Sequence, residues 1–320
     1  MKIDIFTHIS PPRYNQTLSK VAIQNSSIKE RSRTAHSPLS DIHRRFELMD
    51  KFEDIVQVLT LAEPPIEQVT DSKKAVDLAR IANDELAELV SKHPDRFVAA
   101  VAALPMNNID AVLQEVDRAI NELKLRGVQL YTSINEKPLD APEFLPLYER
   151  MSQHDLPIWI HPLKKLSEPD YPGEHGSKYG LAAVIGWPHA TSMAMMRLAG
   201  SGVLEKFPNL KFITHHAGGT VPYLAKRIEF APFTYENLPK PITHYLRSFY
   251  YDTAVQGNTP NLMCALAFCG ADHMLFGTDS PMLGVSLLDD TIRSVHAMNI
   301  PEADKNKIFK ENARQVLKLS

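Results

Sequence analysis

The chain has 320 residues, 44% of them hydrophobic and 23% charged, which allows one large barrel or two medium domains with a sizeable core. Its 35 Lys and Arg against 38 Asp and Glu leave a net charge of −3, and no basic block or stripe appears, so nucleic-acid binding has little electrostatic support. There is no run of about 18 apolar residues to span a membrane. The opening MKIDIFTHI reads as a strand and lacks the apolar core and cleavage site of a signal peptide. Cys264 and Cys269 lie five apart on a predicted helix, a spacing that suits helix packing in a reducing compartment better than a disulfide or a zinc knuckle. A cytoplasmic protein without membrane or nucleic-acid partners is expected.

Short apolar runs alternate with longer segments of helical period along the whole chain. The runs are Ile3–His8, Ile55–Leu61, Phe97–Leu104, Gly127–Tyr131, Pro157–His161, Leu210–His215, Phe249–Thr253 and His273–Gly277. IVQVLTL and FVAAVAAL are almost continuously apolar, as strands covered on both faces by helices are. Between them, Lys74–Lys92 places Val76, Leu78, Ile81, Leu86 and Leu89 roughly on one stripe, and Ala111–Leu123 and Glu143–Gln153 behave likewise. Eight β–α units predict a closed parallel barrel, a (β/α)8 TIM barrel forming one domain over residues 1–320. Residues 10–45 carry little apolar periodicity and are expected to form a small irregular insertion over the barrel mouth. Residues 163–186, rich in Gly, Pro and Lys, predict a long loop after the fifth strand.

Catalytic groups of such barrels sit where strands end at the top face. The polar residues at those ends are His8 after DIFT, His161 in PIWIHP, His215 and His216 before a flexible Ala-Gly-Gly turn, and Asp279 in LFGTDSP. One strand-end histidine usually finds a backbone partner and means little. Several on different strands at one face point to chemistry. Imidazoles with a carboxylate are the ligand set of zinc and similar divalent ions, and an open catalytic site needs about three of them. His8, His161 and Asp279 satisfy that count, leaving His216 for acid–base work. Asp252, ending the seventh strand, is either an outer partner of the site or a turn residue.

These strand ends, together with FELMDKFEDIVQVLTL, ANDELAELVSKHPDRFVAAVAALP, LPIWIHP, SGVLEKFPNLKFITHHAGGTVPY and ADHMLFGTDSPM, resemble the amidohydrolase superfamily over nearly the whole chain. The resemblance is to the branch that contains aminocarboxymuconate semialdehyde decarboxylase and γ-resorcylate decarboxylase. It implies a metal-dependent, non-oxidative decarboxylase of a small aromatic, heteroaromatic or muconate-type carboxylic acid. The implied ion is one divalent metal, zinc first, with manganese or cobalt as alternatives. It implies His8, His161 and Asp279 as ligands, His216 rather than His215 as the catalytic histidine, and Asp279 as a proton relay. Arg227 corresponds to an arginine that reaches the second subunit's site in a homodimer, and Arg45, or Arg44 beside it, to a substrate-binding arginine. Trp187 falls where the family begins a helix at the pocket. One position departs from the pattern. Where the family has its first ligand, a histidine or carboxylate two residues before His8, this chain has Phe6, which cannot coordinate a metal. Three ligands remain, or an altered set that includes His216, and Phe6 is free to stack on an aromatic substrate. Two other functions use nearly the same parts: a metal-dependent hydrolase of an amide, ester or lactone, and a degenerate barrel that binds a small acid without chemistry.

Overall fold

A computed structural model describes residues 1–21, 37–52, 54–230, 238–281 and 284–319. All eight expected strands are present: β1 (Lys2–Ile9), β2 (Ile55–Leu61), β3 (Phe97–Ala100), β4 (Val128–Tyr131), β5 (Ile158–His161), β6 (Phe212–Thr214), β7 (Tyr250–Asp252) and β8 (Met274–Leu275). Neighbours run parallel from β1 to β3 and from β4 to β8. The ring closes at two seams. Ala102 bridges Val128 between β3 and β4, and Thr7 bridges Ser280 between β8 and β1, where Ile5 N donates to Phe276 O at 2.9 Å. Closure pairs the two edges of the barrel sheet with each other.

Eight helices that matter here are α1 (Pro12–Val21), α2 (Ile42–Met49), α3 (Ser72–Lys92), α4 (Ile109–Asn121), α5 (Leu145–His154), α6 (Trp187–Gly200), α7 (Thr259–Cys269) and α8 (Gly284–His296). Local chemistry sets their starts. Asp71 accepts from Lys73 N and Lys74 N, and Asn108 accepts from Ala111 N, so α3 and α4 each begin two residues before the apolar stripe suggests. The barrel interior holds Ile3, Ile5, Phe6, Val58, Trp159, Ile213 and Leu275 in one buried cluster, joined by Ala313, Val316 and Leu317 near the C-terminus. Trp159 Nε1 donates to Ile5 O at 2.9 Å, so the one polar atom of this large side chain is satisfied inside the barrel.

The segment after β1 is more regular than expected. Residues 12–21 form α1, which buries only Tyr14 and Leu18, against a cluster that includes Leu78, Ala79 and Ala82 of α3. Glu85 of α3 accepts from Arg13 N and Tyr14 N at 3.0 Å each, capping α1 from 71 residues away. Two apolar contacts are too few for a visible stripe, and a cap supplied by tertiary contact leaves no local signature. Residues 22–36 of the expected insertion lie outside the described residues.

One buried acid is placed for stability measurement. Glu67, in the turn Ile66–Val69 after β2, is 7% exposed and its Oε1 has no hydrogen-bond partner. Burial raises its carboxyl from the ordinary 4.5 to about 7. A folded-state pKa above the unfolded one favours the fold while the group is protonated. That contribution is complete below 4.5 and is lost as pH rises through about 7. Glu67→Gln is therefore expected to match wild type at pH 4 and to exceed it at pH 8 by up to about 3 kcal/mol. Urea unfolding at the two pH values measures this, and a constant difference between the two proteins contradicts it.

Candidate active site

Parallel register brings the strand tips to one level. His8 of β1 pairs with Thr60 of β2, Tyr131 of β4 pairs with His161 of β5, and His215 follows Thr214 at the end of β6. Each of three imidazoles is held at Nδ1 by an oxygen. His8 Nδ1 lies 3.2 Å from Thr60 Oγ1, which itself donates to Thr7 O at 3.1 Å. His161 Nδ1 donates to Pro162 O at 2.7 Å, and His215 Nδ1 donates to Asp252 Oδ2. The Nε2 atoms are thereby left for the site. His8 Nε2 is 2.9 Å from Asp279 Oδ1, and His215 Nε2 faces the same oxygen at 3.4 Å.

One nitrogen from each of His8, His161 and His215 lies within 4.8 Å of the others, and ligand atoms of His215, His216 and Asp279 form a second such group. Imidazoles with occupied Nδ1 atoms and a carboxylate nearby suit a divalent cation, and His215 Nε2 is a buried polar atom with no hydrogen-bond partner. The donor set therefore fits the metal that the sequence suggests.

The backbone at the tips is constrained. Asp279 has φ of 62°, His216 of 54° and Ala217 of 50°, left-handed values that non-glycine residues adopt at a cost. Asp279 N donates to Phe6 O at 3.1 Å. The preceding Thr278 gives its N–H and its hydroxyl to buried Asp4 at 3.0 and 2.5 Å. Asp252 accepts from Ala217 N at 2.9 Å and Ala254 N at 3.2 Å besides holding His215, so it serves both the turn and the site. The Ala-Gly-Gly turn is packed rather than flexible. A Cβ on Gly218 would fall on the Tyr251 ring and one on Gly219 on the Pro188 carbonyl, and both glycines have positive φ.

Charge is unevenly distributed among these groups. Burial would raise the Asp279 carboxyl, but the charge of His215 and the charge and hydrogen bond of His8 outweigh it and hold Asp279 well below the carboxylate range. Burial would lower His215, yet Asp252 and Asp279 raise it to about 10. Burial and then the charge of His215 push His216 down to about 4. Burial, followed by the charges of His8 and His215, pushes His161 well below 6.5. A carboxylate and a neutral imidazole thus stand side by side.

Above them opens a cavity of about 690 Å³, a volume suited to a small-molecule ligand. His8, His161, His215, His216 and Asp279 lie at its polar end, and Leu39, Ala183, Val184, Pro188, Ala254 and Val255 supply apolar wall. Trp187 lines it as well, its ring within 9° of parallel to His216 at 6.4 Å between centroids. Its Nε1 is tied to Lys164 O at 3.3 Å.

Phe6, Arg45 with its alternative Arg44, and Arg227 do not line the cavity. Phe6 is fully buried beneath it, stacked on His215 at 4.0 Å and 18°, with His8 and His161 at its edges, so it has no face to offer a substrate. Arg45 of α2 is also fully buried. Its guanidinium donates to Gln57 Oε1 at 2.8 Å, to Pro38 O at 3.2 Å and to His8 O, bracing β1 rather than binding an anion. Arg44 is on the surface with Asp41 at 3.9 Å. Arg227 is exposed on the short helix Ala225–Glu229. The residue that sequence reasoning passed over is His215. Its doublet with His216 was the available signal, but spacing alone does not say which ring turns inward.

A family profile described as Amidohydrolase matches residues 3–319. The chain belongs to this family. It is 32% identical over 287 residues, 86% of each chain, to γ-resorcylate decarboxylase of Rhizobium radiobacter. It is 28% identical to 2-amino-3-carboxymuconate-6-semialdehyde decarboxylase of Dictyostelium discoideum, over 100% of this chain and 92% of that one. Among solved structures, dihydroxybenzoic acid decarboxylase from Polaromonas sp. JS666, with bound manganese and the inhibitor 2-nitroresorcinol, superposes with a TM-score of 0.82 and 29% identity. That match covers 99% of this chain and 96% of the other. The family and its structural relatives establish the (β/α)8 barrel expected from the strand pattern.

Proposed function

We propose that this chain is a metal-dependent, non-oxidative decarboxylase of a small aromatic carboxylic acid. The observation that carries the reading is the meeting of His8, His161 and Asp279 with neutral His216 at the polar end of an otherwise largely apolar cavity. Decarboxylase relatives of aromatic and muconate acids favour this chemistry over hydrolysis. His8, His161 and Asp279 would hold the ion. Manganese in the Polaromonas relative puts it beside zinc and cobalt as a candidate. A divalent ion bound there supplies a grip for the substrate carboxylate and stabilises charge during its loss.

The chain's own groups do the rest. The Trp187 ring and the apolar wall take the aromatic body and exclude water. Decarboxylation requires a proton at the ring carbon bearing the carboxylate. Then the C–C bond breaks, its electron pair restores the aromatic ring, and CO2 leaves. Solvent supplies that proton, and His216 and Asp279 are placed to relay it to the ring carbon, each taking a proton and passing it on so that both end as they began. Arg227, exposed on its helix, is the residue that would reach the site of a second copy in a homodimer.

The test is metal content of the purified chain together with CO2 release from hydroxylated benzoates, pyridine carboxylates and muconate-type acids. One ion per chain and CO2 from at least one acid, lost on chelation and restored by zinc, manganese or cobalt, are expected. Turnover of an amide, ester or lactone without CO2 would instead make the chain a hydrolase. No ion and no turnover after any of these metals would leave a non-catalytic acid-binding barrel.

A further inference from the structure

We infer that His215 replaces the ligand missing at Phe6, so that the metal centre is built from His8, His161, His215 and Asp279 while His216 stays outside it. The inference rests on the metal-dependent reading above and goes beyond it in assigning the fourth ligand. Three observations carry it. First, a nitrogen of His215 lies within 4.8 Å of those of His8 and His161, and its Nε2 is 3.4 Å from Asp279 Oδ1. Second, His215 has the arrangement of a ligating imidazole: Nδ1 is held by the buried carboxylate of Asp252, and Nε2 is buried without a hydrogen-bond partner. A carboxylate on the far nitrogen fixes tautomer and ring direction and strengthens the donor. Third, Phe6 lies flat on the ring at 4.0 Å and 18°. The side chain that removed one ligand thus backs the ring that supplies another, and keeps water from its face.

His216 lacks these supports. Its Nδ1 is buried without a partner, so no oxygen fixes the ring for coordination, and the ring lies parallel to Trp187 at the cavity wall. His215, His216 and Asp279 are also close enough to share an ion, but that arrangement leaves out His8 and His161, whose Nδ1 atoms are already held. The doublet therefore divides the work: His215 binds metal, and His216 faces the substrate.

The experiment uses the full chain, stripped with a chelator and titrated with zinc and with manganese by calorimetry, with metal content checked after desalting. Wild type is expected to take one ion. His215→Ala should weaken binding at least about 100-fold, and Asp252→Asn about 10–100-fold, as loss of an outer partner does. His216→Asn should stay within about threefold of wild type, the range expected when no contact to the ion is lost. Should His215→Ala fail to fold, Asp252→Asn and the imidazole nitrogen shifts of zinc-loaded wild type still decide. Three histidines metallated at Nε2 are expected, and a His215 ring that does not respond to zinc overturns the assignment. Wild-type affinity in His215→Ala, or loss of the ion in His216→Asn instead, also overturns it. Wild type that binds no ion overturns this inference and the metal-dependent reading together. A loaded centre of the expected ligands that releases no CO2 from any acid overturns only the decarboxylase reading.

Discussion

Asp279→Asn is expected to lower kcat for an aromatic acid about 10²–10⁴-fold, the range lost with a positioned proton-transfer group. Asparagine keeps the shape and tolerates left-handed backbone, so φ of 62° and the Asp279 N to Phe6 O bond can persist. What disappears is the negative charge that His8 and His215 surround. That charge is unusually firmly held, because the two imidazoles outweigh burial and keep the carboxyl ionised well below its ordinary range. The variant therefore loses a proton carrier and an anionic ligand in one step. Assay at saturating manganese separates the two effects, since restored metal occupancy leaves the proton-transfer defect in place. A kcat within threefold of wild type under those conditions would remove Asp279 from the chemistry.

The second large effect is expected at His216. His216→Asn should cut kcat about 10²-fold or more, the loss expected for a general acid–base group, while KM changes little. Asparagine again suits the left-handed backbone, here at φ of 54°. Burial and the neighbouring His215 hold the His216 imidazole near 4, so its neutral form is present across pH 5–8. It can accept a proton throughout that window, and its protonation would quench activity only as pH falls through about 4. The pH profile of kcat/KM in wild type should accordingly lack an acid limb near 6.5 from this group. If His216→Asn turns over at the wild-type rate, the free histidine is not His216.

Much of the barrel was readable because burial on both faces leaves a mark in the residues themselves. Nearly continuous apolar strands such as IVQVLTL read as covered by helices on both sides, and eight alternating β–α units imply closure. The same regularity exposes the polar strand ends, so His8, His161, His216 and Asp279 read as one group from the sequence alone. α1 was not readable, because it buries two apolar side chains and takes its cap from Glu85 on a distant helix. Arg45 illustrates the opposite difficulty. A charged residue beside Glu47 and Asp50 gives no hint that its guanidinium is fully buried on the His8 carbonyl and Gln57.

The sharpest division lies at His215, His216 and Phe6. Sequence alone determined that two histidines end the sixth strand, that a carboxylate ends the eighth, and that an aromatic ring stands where a ligand was expected. It could not say which histidine turns toward the metal position. Ring direction depends on which oxygen holds Nδ1, and for His215 that oxygen is on Asp252, 37 residues along the chain. His216 differs by its left-handed backbone, which turns its ring to the Trp187 wall. Phe6 likewise looked available to a substrate until the closed barrel placed it under the site, flat against His215. Residue types and their periodicity carry the fold and the ligand inventory. Orientation belongs to contacts between strands far apart in the chain, which only the closed barrel brings together.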